Sequence, residues 1–480
     1  MKIRWQIVSI LMVLSLLVGA GGTYFALDFF AEPSKITGSD LKNASSLRAS
    51  DLEKIKKSYE YITNNYVEDV DKREVLEGAI KGMIGTLEDP YSVYMDEDTV
   101  KEFTESLDSS FEGIGAEVSM QNGTVTIVAP FKDSPAEKAG LKPNDKVITI
   151  DGEPTEGLDL YEAVLKIRGE KGTYVTLGIE RAGHSGLIEI KVQRDEIPIE
   201  TVYADQKEIN GKTIGILEIT SFSENTAEDF EKELKNLEES NIDGLIIDVR
   251  GNPGGYLQSV EEIAELIIPN SKPFIQIEDR EGNKQQSVSS LKKKKPYPIV
   301  GLIDEGSASA SEILAAALKE NGGYDLVGTP SFGKGTVQQT VNLGDGSQLK
   351  LTMFKWLTPD GNWIHEKGIE PTVLVRQPEY YYTSPLAVAD EPLRYDMTSE
   401  HIKSAQLMLE GLGFAPGRKD GYFSKQTEKA VLAFQKKYDL PATGEIDEPT
   451  AGKLQEQVLE KIRSHEDDVQ LQTALELIAQ

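Results

Sequence analysis

The sequence predicts a multidomain α+β protein with four parts. These are an N-terminal helical segment, a small β-rich module with two helices, an α/β core and a C-terminal helical domain. Three observations carry this expectation. At 480 residues, the chain is long enough for about three or four domains. Between residues 196 and 380, apolar runs of strand length alternate with amphipathic stretches of helix length, the pattern of an α/β core. The pattern changes on either side, to short strands with glycine turns from 111 to 195 and to helical periodicity before 110 and after 381.

Composition excludes several function classes. The net charge is -29, from 51 basic and 80 acidic residues, which argues against nucleic acid and against a polybasic membrane surface. Without cysteine there is no disulfide, thiol nucleophile or cysteine-ligated metal. The four histidines, His184, His365, His401 and His465, include no pair at metal-ligand spacing, so a zinc-protease reading fails and no metal site is expected.

Residues 1–30 read as an export segment. Lys2 and Arg4 precede an apolar core from Ile7 to Val18, and Val18-Gly19-Ala20 is a small-residue cleavage site. Apolar character continues to Leu27, so a cleaved signal and an uncleaved membrane anchor both fit, and either puts the body outside the cytoplasm. Residues 31–50 are a linker. From 51 to 110, Leu52, Ile55, Tyr59 and Ile62 form one helical stripe and Val75, Ala79, Ile80, Met83 and Leu87 another; Pro90 breaks the pattern. This segment carries no chemistry and reads as a docking or dimerisation element.

The β-rich module, 111–195, opens on Gly113-Ile114-Gly115-Ala116, a glycine loop entering a strand. A short helix around Ser134–Leu141, a strand and turn at Asp145–Gly152 and a helix at Leu160–Ile167 follow. In the core, the Gly244–Arg250 strand runs into Gly251-Asn252-Pro253-Gly254-Gly255, whose glycines let backbone N–H groups approach a ligand closely. A plain strand-to-helix turn would need only one of them.

Pro298 to Gln339 organises the chain. The apolar strand Ile299–Ile303 leads through Asp304-Glu305-Gly306-Ser307 into a helix of small residues beginning near Ala308. A serine at such a turn is exposed at a sheet edge and sits where the helix dipole favours negative charge. Ser307, Ser309 and Ser311 compete for the role, and as local sequence all three also fit helix caps. Gly333-Lys334-Gly335 supplies a lysine between glycines at a strand entrance. Pointed inward and desolvated, it would have a lowered pKa and serve as the base for a serine. Gly328 to Lys334 also matches most of a phosphate-binding loop, but Gly335 stands where Ser or Thr is required and a strand follows instead of a helix.

The pair Ser307-Ala308-Ser309-Ala310-Ser311-Glu312-Ile313 and Gly333-Lys334-Gly335-Thr336-Val337-Gln338 resembles the carboxy-terminal processing, or tail-specific, serine proteases, and the resemblance spans about residues 70–375. It implies an α/β Ser-Lys protease core at 196–380, with Ser309 as nucleophile, Lys334 as base and Gln338 supporting the lysine. By position, the N–H of Ala310 with that of Gly254 or Gly255 would form the oxyanion hole. The family uses lysine as base, so His365, in a polar turn, is assigned a structural role. The order of elements in 111–195 resembles a PDZ domain. In such a domain Gly113, Ile114, Gly115 and Ala116 would hold a peptide carboxylate, and Arg168, at the family's Arg-Gly-x-x-Gly turn, is a regulatory candidate. Residues 381–480, with Gln406, Asp420-Gly421-Tyr422, Gln435 and Gly444, resemble a peptidoglycan-binding-type helical domain, to be used for wall contact or for dimerisation.

The resulting expectation is an exported serine endopeptidase, secreted or membrane-anchored, with no cofactor. Its substrates would be proteins or peptides with accessible C-terminal tails, recognised through a PDZ domain that gates the site. The resemblance is nearest to the sporulation branch of the family, which makes a sporulation signalling protein an expected substrate. The expected partners are a second copy in a homodimer and peptidoglycan, with no nucleic acid. The competing reading is an inactive peptide- and wall-binding scaffold.

Overall fold

The computed structural model describes residues 48–480 except Ser106, Asn122, 132–133, Pro143, Asp159, 182–185, Ala387 and 389–390. The expected export segment, all but the last three residues of the linker, and His184 lie outside the described residues. No helix of the described residues is long and apolar enough to cross a membrane.

The described chain forms two compact units. The first comprises residues up to 105, 278–283 and 336–356. Its helices Ala49–Asn65 and Lys72–Gly85 bury no residue, so their apolar stripes, Leu52, Ile55, Ile62 and Met83 among them, face outward. The second helix starts where Asp71 accepts the Arg73 and Glu74 N–H groups. The Asp89-Pro90-Tyr91-Ser92 turn is closed by Asp89, which accepts Tyr91 N–H at 3.1 Å and Ser92 Oγ–H at 2.5 Å. Val93–Met95 then pairs antiparallel with the second strand of a hairpin formed by Thr336–Asn342 and Gln348–Leu357.

The second unit carries the remaining parts. The β-rich module is an antiparallel sheet in the order Ala116–Gln121, Thr124–Pro130, Lys146–Ile150, Tyr174–Glu180, Ile188–Gln193. Alternation builds its core. Val175, Leu177 and Ile179 point inward to meet Ile127, Val147 and Ala163, while Tyr174 and Glu180 stay in solvent. Buried Arg194 caps the Leu160–Ile167 helix, donating to Ile167 O at 2.8 Å and Lys166 O at 3.0 Å. A two-stranded ribbon closes the module at both ends, pairing Ser110–Gly113 with Asp195–Pro198.

The core is a six-stranded sheet in sequential order: β1 (Val202–Ile209), β2 (Lys212–Ile219), β3 (Gly244–Asp248), β4 (Ile299–Ile303), β5 (Asp325–Gly328) and β6 (Val373–Leu374). The β1–β2 pair is antiparallel and all other pairs are parallel. Every residue of β3 and β4 is buried, as expected for central parallel strands covered on both faces. On one face, Gly215 lies under Leu237 of α1 (Thr226–Glu239). The helix α2 (Leu257–Ile267) follows the glycine loop and α3 (Ala310–Ala316) follows the serine turn.

On the opposite face Ile214, Ile216, Ile246, Val300 and Leu302 pack on Leu471, Ala474 and Ile478 of the last helix, α4 (Val469–Ala479). Gly244 is glycine for this reason: a Cβ there would come within 2.2 Å of Ile478. The C-terminal helical domain has a separate core around Leu409, Phe423, Val431, Phe434 and Leu454. Two buried glutamines tie its loops to its helices. Gln406 accepts from Gly421 N–H and donates to Tyr422 O, and Gln435 accepts from Gly444 N–H and donates to Glu445 O.

Candidate active site

The turn from β4 to α3 separates the three serines. Ser307 is fully buried and its hydroxyl donates to Val249 O at 2.8 Å. Ser311 is fully buried and its hydroxyl donates to Asn252 O at 2.9 Å. Ser309, at the N-cap of α3, is half-buried and therefore accessible. Its backbone is at φ 55°, ψ -112°, a conformation that costs on the order of 1–3 kcal/mol for a residue with a side chain. The surroundings hold it there. Ala308 N–H donates to Asn252 O at 3.0 Å, and Ser309 N–H donates to the Glu312 carboxylate at 2.8 Å.

The glycine loop lies against this turn. A Cβ on Gly254 would come within 2.8 Å of both Ser309 Cβ and Ala308 O, and one on Gly255 within 2.1 Å of Phe222 O. Both glycines also have positive φ, 105° and 150°, so larger side chains are excluded on two grounds. Buried Asn252 fastens the loop. Its Nδ2 donates to Ile219 O at 2.7 Å and its Oδ1 accepts Gly254 N–H at 2.8 Å. Gly251 N–H donates to Asp304 at the base of the serine turn. The Gly254 N–H is therefore committed within the loop, while those of Gly255 and Ala310 take no part in these bonds.

Glu312, three residues into the serine helix, joins the two halves of the motif. It is fully buried and its carboxylate accepts four hydrogen bonds: from Ser309 N–H, Ser331 Oγ–H at 2.6 Å, Gly333 N–H at 2.7 Å and Lys334 N–H at 2.8 Å. One side chain thus fixes the backbone of both Ser309 and Lys334. Lys334 is half-buried, on a loop that admits only glycines beside it. A Cβ on Gly333 would meet Gly368 N and Lys367 N at 3.0 Å, and one on Gly335 would meet His365 N at 2.7 Å. Trp363 Nε1–H donates to Gly335 O at 2.7 Å, and the Trp363 and His365 rings stack. Gln338 lies in the first unit, where its amide donates to Thr336 Oγ1 at 3.1 Å and Thr352 Oγ1 at 3.0 Å.

In the β-rich module, Ile114 is buried and its carbonyl accepts Ala136 N–H at 2.8 Å. Gly115 has φ 71° and leaves no room for a Cβ beside Ser134. Ala116 opens an edge strand, which leaves one side of its backbone open for pairing. The Arg168 guanidinium lies over the Phe111 ring, 4.9 Å from its centroid, on the closing ribbon.

Sequence reasoning singled out Ser309, Lys334 and the glycine loop, and quoted Glu312 and Asn252 only as members of their motifs, with no role. The physical signal for Glu312 was its Ser-x-x-Glu spacing, the signature of a helix start.

An α/β sheet that presents one accessible serine beside a lysine loop, with a small β-sheet module on the same chain, defines a serine peptidase carrying a PDZ domain. The chain belongs to peptidase family S41, within the carboxy-terminal processing proteases. The S41 model matches residues 213–375 and the PDZ model 113–192. Residues 16–99 match the N-terminal domain of the activating protease CtpB and 398–454 match a peptidoglycan-binding domain. The chain is 54% identical to the carboxy-terminal processing protease CtpB of Bacillus subtilis, covering 98% of both chains. It is 41% identical to the carboxy-terminal processing protease CtpA of the same organism, covering 94% of both. A solved relative, the photosystem II D1 C-terminal processing protease, aligns with a TM-score of 0.43 at 26% identity, covering 68% of this chain and 86% of that one.

Proposed function

We propose that this serine peptidase works by a Ser-Lys mechanism outside the cytoplasm on proteins delivered by their C-terminal tails. The observation that carries the proposal is the contrast among the three serines: two hydroxyls are buried and bonded, and the third is accessible and fastened through Glu312 to the lysine loop. Ser309 Oγ attacks the peptide carbonyl while neutral Lys334 takes its proton. Lys334 then delivers that proton to the leaving amine, and water hydrolyses the acyl-enzyme in the second half of the cycle. Ala310 and Gly255 N–H groups bind the developing oxyanion, and Gly254 shapes the floor between them and Ser309. Gln338 is assigned the support of Lys334 by its place in the motif alone.

The PDZ domain takes the substrate carboxylate at Gly113–Ala116 and pairs the tail with its open edge strand. A change in its position, with Arg168 in the linkage, gates Ser309. Residues 1–30 direct export, the outward apolar stripes of the N-terminal helices make a homodimer, and the C-terminal domain contacts peptidoglycan. A signalling protein of sporulation is the expected natural substrate on the resemblance already described.

The test is cleavage of labelled casein. Ser309→Ala and Lys334→Ala should each remove turnover while leaving the fold intact, and the double variant should lose no more than either single one. The rate should rise with pH as Lys334 loses its proton. Equal damage from Ser307→Ala would overturn the choice of nucleophile, and loss of activity in a folded His365→Ala would replace lysine by histidine as base.

A further inference from the structure

Behind the glycine loop lies a buried ionic cluster that the chemistry above does not use. Arg250 connects β3 to Gly251. Its guanidinium grips Asp248, with Nε donating to Oδ1 at 2.9 Å and Nη2 to Oδ2 at 2.6 Å. The other edge of the same guanidinium forks onto Asp468, with both contacts at 2.9 Å, and Nη1 also donates to Gln470 Oε1 at 3.0 Å. Asp468 lies beyond the peptidoglycan-binding match, at the N-cap of α4, and is only 5% exposed. It also accepts Leu471 N–H at 2.9 Å and Gln377 Nε2–H at 2.6 Å, and His465 Nδ1 stands 3.3 Å away. Gln470 Nε2 completes the set by donating to Val375 O at 2.9 Å.

This cluster brings the end of the chain to the base of the active site. The next residue after Arg250 is Gly251, bonded to Asp304 under the serine turn, and then Asn252, which holds Gly254, β2, Ala308 and Ser311 together. A guanidinium this enclosed needs both carboxylates. Loss of one leaves buried guanidinium N–H donors unpaired, and only a shift of the backbone could bring them to water.

We propose that Asp468 is a positioning residue for peptide hydrolysis: through Arg250 it fixes the Gly251–Gly255 loop against Ser309. The α4 segment is thereby a working part of the protease, although it follows the helical domain in sequence. The inference rests on the reading that this loop faces the reacting carbonyl.

The experiment measures steady-state casein cleavage by the full chain at a temperature well below unfolding. Asp468→Asn keeps the shape and removes the charge. It should lower kcat about tenfold with KM within about twofold, the pattern of a loss felt in the transition state. Arg250→Lys should behave alike, and the double variant should be no worse than the worse single one, because both act through one contact. Asp468→Glu should recover part of the rate. If Asp468→Asn fails to fold, Gln470→Ala, which removes one neutral bond to Arg250, carries the test with an expected two- to threefold fall in kcat, on the order set by a single hydrogen bond. Wild-type kcat in the folded variant, or multiplicative losses in the double variant, would overturn the proposal. Ser309→Ala separates the two readings. Turnover surviving in that variant sinks the site itself, whereas an indifferent Asp468 sinks only the positioning role.

Discussion

A change at Glu312 would be felt at the nucleophile and at the base together. Its two carboxylate oxygens take four donors, three of them backbone N–H groups. Glu312→Gln replaces one oxygen with an amide that turns N–H toward N–H. The expected cost is about 3 kcal/mol of stability, with the hydrogen bonds to a charged acceptor lost and buried donors left unpaired. Activity should fall at least tenfold, mostly in kcat, and calorimetry alongside casein kinetics would check both. A variant with normal kcat and a lowered Tm would make Glu312 merely structural. In the sequence this residue could be read only as half of a capping box, because spacing does not reveal that Ser331 and Gly333 return to the same carboxylate. The choice among the serines was similarly open: all three fit caps locally, and only burial and hydroxyl partners separate them.

The central strands were legible because burial on both faces demands unbroken apolar runs, and Gly244–Asp248 and Ile299–Ile303 supply them. The docking of α4 was not. Leu471, Ala474 and Ile478 mark a helix with one apolar face, but nothing in the periodicity names the partner, a sheet face drawn from strands as distant in sequence as Ile214 and Val327. Its attachment should depend on pH. Burial alone would raise the Asp468 carboxyl, but hydrogen bonds from His465 and Arg250 outweigh it and hold the group well below the usual carboxylate range. The bond to Asp468 raises the His465 imidazole, against partial burial. The aspartate's contribution is present above its unfolded value of about 3.9 and is lost as pH falls through the folded one. The histidine's contribution is complete below its unfolded value of about 6.5 and is lost as pH rises through the folded one. The latch is therefore tightest between about pH 4 and pH 6.5. Amide exchange in residues 469–479, corrected for intrinsic rates, should be slower relative to β3 at pH 6 than at pH 8.5, and His465→Leu should remove that difference. Equal protection of wild-type α4 at both values would refute the coupling.

At the scale of the whole chain, the order of parts was readable from changes of period and from glycine-bearing motifs, while the means of joining them was not. The PDZ module begins and ends in one ribbon, with Ser110 opposite Pro198 and Ser110 Oγ–H donating to Glu196 at 2.9 Å. Its two ends are thus neighbours, so residues 111–195 can be replaced by a short glycine linker with little strain. If the module gates Ser309, this deletion should change turnover of a long tailed substrate and of a short peptide by different factors. Unchanged turnover of both would leave the module a tether. The position of α4 has a further consequence, in time instead of space. A chain is made from its N-terminus, and its domains fold in that order during synthesis. Ser309 and Lys334 emerge well before the residues around Asp468. Until those residues arrive, Arg250 has Asp248 as its only carboxylate partner in the cluster. If Asp468 positions the glycine loop as proposed, a copy that has not yet folded α4 onto the sheet should cut its neighbours about tenfold more slowly than one that has.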